Sequence, residues 1–83
     1  MDAVEDQRDV VRHNLVEHAG PARARLCLSL ADAARLAHLA PEVVVAIENG
    51  SDSMATLAVL TEFALFLGLN ELGLPRPRVA GME

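Results

Sequence analysis

"LSLADAARLAHLAPEVVVAIENG" (residues 28–50) is the stretch that decides the fold. Ser29 stands before an apolar-periodic segment and is a residue type that caps helix N-termini, with an acidic residue in the first turn that follows. Pro41 suits the first position of a second helix, and Asn49-Gly50 is typical of a helix end. The stretch therefore predicts two short helices, at 30–37 and 41–48, joined by a tight turn at 38–40.

The rest of the chain also predicts helices and no strand. Residues 1–20 read as a charged helix with a thin apolar stripe of Val4, Val11, Leu15 and Ala19. Gly20-Pro21 is expected to end that helix and begin a short one reaching residue 28. A further helix is expected at 57–67, capped by Thr56 and closed by Gly68, with one more helical turn at 70–74. The sequence therefore predicts an all-α bundle of four to five helices.

Composition and charge limit the kinds of function that we expect for this chain. The chain has 83 residues, 12 acidic residues against 7 arginines, no lysine, and a net charge of −5. One cysteine, Cys27, excludes an internal disulfide and is expected to be a small buried apolar residue. No zinc-ligand spacing, phosphate loop or nucleophile constellation is present, and no apolar run is long enough to span a membrane. We expect a cytoplasmic protein that is not an enzyme and needs no cofactor or metal.

The stretch 28–50, followed by "TLAVLTEFALFLGL" (56–69), resembles the Cro/repressor-type helix-turn-helix family, the XRE class. Residues 28–50 fit the family pattern "LSxxxLAxxxGVSxxxISxxExG" without a gap. The matching positions are Ala34, Val44, Ile47, Glu48 and Gly50, and in the following helix Leu57, Leu60, Phe63, Ala64 and Leu67. The resemblance implies a lambda-repressor-like helix-turn-helix fold and a role in transcription regulation. It divides the chain into an N-terminal helical extension, a helix-turn-helix domain and a flexible tail, at 1–20, 21–74 and 75–83.

Some framework positions depart from the family pattern. Ala33 and Ala37 stand where larger aliphatic residues are usual, so we expect the helices to lie closer together. His38 stands at the turn position where the family often has glycine, and a residue other than glycine with positive φ costs free energy there. The resemblance also implies a structural ion pair between Arg23 and Glu48.

The surface with which the family reads DNA is degenerate in this chain. The resemblance maps the base-contacting positions to Pro41, Glu42, Val43, Val45 and Ala46, and a usual phosphate contact to Leu30. Valine supplies no hydrogen bond, and Glu42 repels phosphates. Residues 21–74 carry six acidic residues against three arginines, so DNA binding is doubtful.

Two functional hypotheses follow from this surface. In the first, an exposed patch binds another protein, for example a transcription factor, as an antiactivator or antirepressor would; its residues are Leu30, Glu42, Val43, Val45 and Ala46. In the second, a dimeric repressor binds DNA through Arg23, Arg25, Arg35, Pro41, Glu42, Val43 and Asn49. A bare dimerisation module with neither role is a third possibility.

A second apolar patch favours a homodimer. Its residues are Leu65, Phe66, Leu69 and Leu72. For both patches the alternative is that the N-terminal helix of the same chain covers them.

Overall fold

The computed structural model describes residues 3–51 and 55–76, with side chains from residue 6 onward. Within these ranges the chain forms four helices and no strand apart from an isolated bridge between Leu69 and Pro75. The helices are α1 (Ala3–Arg25), α2 (Leu30–Leu36), α3 (Pro41–Asn49) and α4 (Leu57–Phe66). The predicted all-α class is confirmed. Val4 of the predicted stripe, most of the loop after Gly50 and residues 77–83 of the predicted tail lie outside the described side chains or residues.

Helix α1 does not end where the sequence predicted. It continues through Gly20 and Pro21 to Arg25, so the predicted break at Gly20-Pro21 is wrong. The cause is a stripe of buried residues at helical spacing that extends past the proline; Val11, Leu15, Ala19 and Ala22 are all fully buried or nearly so. Pro21 itself lies on the exposed side of the helix, where its ring meets solvent.

This stripe joins α1 to the rest of the domain. Helix α1 packs on α3 and α4, and α2 packs on α3. The N-terminal helix therefore packs on its own chain, which decides a question that the sequence left open. The shared core holds mainly aliphatic residues and one phenylalanine, and its largest fully buried members are Val11, Leu15, Val44, Ile47, Leu60, Phe63 and Leu69.

All four helices end in the same way, with a left-handed residue just after the last turn. These residues are Cys27, His38, Gly50 and Gly68, with φ of 58°, 59°, 79° and 83°. In each case the next N–H donates back to a carbonyl five residues earlier, as in Leu28 to Arg23 and Leu39 to Ala34. Cys27 is exposed in this turn, so its predicted burial is wrong.

Residues 70–74 form a tight turn and not the predicted helical turn. The Asn70 side-chain oxygen accepts hydrogen bonds from the N–H groups of Leu72 and Leu74, at 2.9 and 3.0 Å. Gly73 takes a φ of 81° and lies against Leu15, where an added Cβ would come within 3.3 Å of the leucine. Asn14 of α1 fixes the turn by donating to the Leu72 carbonyl at 2.9 Å.

Replacing Pro21 by alanine should stabilise the protein. Proline inside a helix removes one backbone hydrogen bond and crowds the preceding turn, at a cost of about 3 kcal/mol relative to alanine. Because Pro21 is exposed, alanine can enter without disturbing the core, and we expect the free energy of unfolding to rise by about 1–3 kcal/mol in urea titrations followed by far-UV circular dichroism.

The matched control is Pro75→Ala, which lies outside the helices and should change stability by less than about 0.5 kcal/mol. A loss of stability in the Pro21→Ala protein would mean that Pro21 begins a separate helix.

Candidate functional site

Helices α2 and α3 present the surface that the sequence singled out. The Ser29 hydroxyl caps α2 by accepting the Asp32 N–H at 3.0 Å, and Pro41 stands at the start of α3. Val44 and Ile47 are fully buried, so they fix which side of α3 faces inward. The opposite side of α3 is turned to solvent.

A bidentate ion pair ties α1 to the last turn of α3. Arg23 donates to both carboxylate oxygens of Glu48, from Nε at 2.8 Å and from Nη2 at 3.1 Å, and also to the Leu28 carbonyl. The hydrogen bond to Glu48 raises the pKa of Arg23, its negative charge adds to this, and partial burial opposes both. Arg23 is therefore committed inside the protein and is not presented to a ligand.

The predicted partner-binding residues divide into two groups. Val45 is 39% exposed and Glu42 is exposed, with Ala46 half-buried beside them. Leu30 and Val43 are half-buried and pack against the core. The apolar part of the outward face is thus centred on Val45, and it is smaller than the sequence suggested.

The residues of the DNA-binding alternative offer few hydrogen-bond donors. Pro41, Glu42 and Asn49 are exposed on α3, and among these three side chains only Asn49 can donate a hydrogen bond. Arg35 is exposed but contacts Asp32 at 3.2 Å. Arg25 is exposed at the end of α1.

Most of the arginines are held by the protein itself. Arg8 donates to the Ala55 carbonyl at 2.7 Å and Arg12 to the Gly50 carbonyl at 3.2 Å, so two side chains of α1 hold the chain on either side of residues 51–54. Arg76 donates to the Leu69 carbonyl at 3.3 Å. Within the described part of the chain, Arg25 is the only arginine that makes no hydrogen bond or ion pair. Sequence reasoning gave no sign of these contacts, because their acceptors are backbone carbonyls distant in sequence or held by local turns.

The predicted dimerisation residues also divide. Leu69 is fully buried, and Leu72 is half-buried within the 70–74 turn, where its carbonyl accepts the hydrogen bond from Asn14 of α1. Leu65 is 43% exposed on α4, with Phe66 half-buried beside it. Any contact between subunits at this end would therefore involve Leu65 and Phe66, because Leu69 is enclosed in its own core.

An open apolar cleft lies between the α2–α3 connection and α4. It has a volume of about 410 Å³ and is lined by Leu36, Ala37, His38, Leu39, Val59, Glu62, Phe63 and Phe66. Ala33 is fully buried, whereas Ala37 is half-buried and lines this cleft. Sequence reasoning missed the cleft, although the small residue at 37 was its visible signal.

The described residues hold no metal-binding cluster and no membrane-spanning helix, and the chain matches no family model. Among the described residues, no cluster of three or more His, Cys, Asp and Glu side chains has the placement to hold a metal ion. No described helix combines the length and apolarity that crossing a membrane requires. No family model matches the chain, and neither a curated protein nor a solved structure is significantly similar to it.

Breaking the ion pair from one side should destabilise the fold. Glu48→Ala leaves the Arg23 guanidinium half-buried without its carboxylate, and we expect a loss of about 1–3 kcal/mol in the free energy of unfolding. The double variant Arg23→Met/Glu48→Leu should lose less than the two single variants together, because neither charge is stranded.

The exposed Arg35–Asp32 pair supplies the control. Arg35→Ala should change stability by about 0.5 kcal/mol or less in the same urea titrations. Equal losses at Arg35 and Glu48 would show that the Arg23–Glu48 pair does not hold α1 against α3.

Proposed function

We propose that the protein is a small regulatory protein with a lambda-repressor-like helix-turn-helix, and that it acts by binding another protein. The helix-turn-helix assignment is supported by two short helices joined by four residues, by the buried positions of Val44 and Ile47, and by the Arg23–Glu48 pair. It rests otherwise on the family resemblance of residues 28–50. A role beside transcription complexes would place the protein in the cytoplasm.

The engagement of the arginines is the observation that carries the proposal. A protein holds DNA chiefly by neutralising several phosphates with lysine and arginine. This chain has no lysine, and within its described residues only Arg25 makes no hydrogen bond or ion pair, while Arg35 makes only an exposed pair with Asp32. Among the described residues, one arginine without an internal partner, in a chain of net charge −5, cannot supply several phosphate contacts.

The outward face of α3 fits a protein better than a nucleic acid. Val45 is exposed and apolar, and Glu42, three residues earlier, adds a carboxylate on the same side of the helix. Such a face complements an apolar surface edged by basic residues, which is the composition of DNA-binding regions of transcription factors. Binding there would block the partner, as an antiactivator or antirepressor does.

A dimeric DNA-binding repressor is the second candidate. It is favoured by the exposure of Arg25 and Asn49, and by Leu65 and Phe66 as an available contact between subunits. It requires arginines to leave their present partners when DNA binds.

Random duplex DNA should bind weakly even at low salt. At about 50 mM salt we expect a dissociation constant weaker than about 10⁻⁴ M by fluorescence anisotropy of labelled duplex, because almost no phosphate is neutralised. Arg25→Ala should remove most of whatever binding remains. Micromolar binding that weakens steeply as salt rises would favour the repressor.

Changing the centre of the α3 face should abolish capture of a protein partner. Val45→Glu places a second carboxylate beside Glu42 without entering the core, whereas Val43 is half-buried and a charge there would also disturb folding. We expect the protein retained from the source cells by the immobilised wild type to be lost with Val45→Glu. The far-UV circular dichroism of the variant should be unchanged.

Val10→Glu is the matched control, since Val10 is similarly exposed but lies on α1. It should retain the partner. Retention by Val45→Glu and loss with Val10→Glu would place the binding face on α1 instead.

A further inference from the structure

The cleft beside α4 is where the aromatic side chains of this protein lie together. The protein has two phenylalanines and no tryptophan or tyrosine, and both phenylalanines line this cleft. Their rings stack with centroids 6.2 Å apart and planes 20° from parallel. Phe63 is buried, and Phe66 is half-buried.

We propose that this cleft binds a small hydrophobic organic cation, an amine or ammonium compound with an apolar body. The inference is independent of the protein-binding function proposed above, because none of the cleft residues belongs to the face centred on Val45 and Glu42.

The size and walls of the cleft suit the apolar body of such a ligand. Its volume of about 410 Å³ lies within the range of small-molecule sites, roughly 300–1,000 Å³. Leu36, Leu39, Val59 and the two phenylalanines make the lining mostly apolar, and Leu36 remains 51% exposed at its edge. A ligand bound there would bury the exposed parts of Leu36 and Phe66.

The charges select a cation. Glu62 is exposed and is the only carboxylate among the described residues that line the cleft, and within the described part of the chain it has no ion-pair partner. His38 is the other ionisable group among these described lining residues, which include no arginine. A carboxylate and aromatic rings that line the same cleft attract organic ammonium groups, through Coulomb attraction and the negative faces of the rings. The net charge of −5 adds a field of the same sign.

Three naphthalene probes of nearly equal shape test the proposal directly. They are 2-naphthylmethylammonium, 2-naphthylmethanol and 2-naphthoate, which carry a positive charge, no charge and a negative charge. Because the protein lacks tryptophan and tyrosine, naphthalene emission is free of overlapping protein fluorescence, and its intensity on the two sides of an equilibrium dialysis membrane measures binding to the full chain. We expect saturable binding, with the cation about fivefold or more tighter than the alcohol and the carboxylate weakest.

Two glutamate variants separate the local carboxylate from the overall charge. Glu62→Gln should reduce the preference for the cation over the alcohol to about twofold or less, while leaving the affinity for the alcohol unchanged. Glu71→Gln makes the same change in net charge at an exposed position outside the cleft and should keep the full preference. Equal effects of the two variants, or equal binding of all three probes, would overturn the proposal.

A third variant tests the location. Ala37→Leu places a larger side chain in the cleft and should weaken the binding of all three probes at least about tenfold. If that variant does not fold, Phe66→Leu keeps an aliphatic wall, removes the exposed ring face, and should lower the affinity for the cation more than for the alcohol. Undiminished binding in a folded Ala37→Leu protein would show that the probes bind elsewhere.

Discussion

The packing of one unbroken helix, α1, against α3 and α4 is the constraint on which the rest of the structure depends. Helix α1 contributes Val11, Leu15, Ala19 and Ala22 to the core, and each large aliphatic side chain buried is worth about 1.5–3 kcal/mol. A proline within a helix costs about 3 kcal/mol. Continuing the helix past Pro21 is what buries Ala22 and brings Arg23 to Glu48, so long-range packing and a charge-assisted contact outweigh a strong local signal to stop.

The same helix governs the electrostatic character of the surface. Arg8, Arg12 and Arg23 all project from α1 and are used to hold backbone carbonyls or the Glu48 carboxylate. A chain without lysine has few cationic side chains. Because these three arginines contact groups within the protein, the surface is left mainly acidic. The structural role of the arginines and the proposed lack of affinity for DNA are therefore two consequences of one arrangement.

The cleft lies beside the turn that connects α2 to α3. Ala37 closes α2 in a turn whose next residue, His38, has a φ of 59°, and this turn fixes where the connection to α3 lies. The cleft lies between this connection and α4, with Ala37 on one side and Val59 and Phe63 on the other.

The sequence by itself determined the features that depend on neighbouring residues. It was sufficient for the all-α class, for Ser29 and Thr56 as the N-caps of α2 and α4, and for Pro41 at the start of α3, because capping and helical periodicity act within a few residues. Only the tertiary structure decided the continuation of α1, the burial of Leu69, the backbone acceptors of Arg8 and Arg12, and the open cleft. Each of these depends on contacts between residues far apart in the chain. The free energies of such contacts outweigh local conformational preferences, and the contacts produce no pattern within a short stretch of sequence.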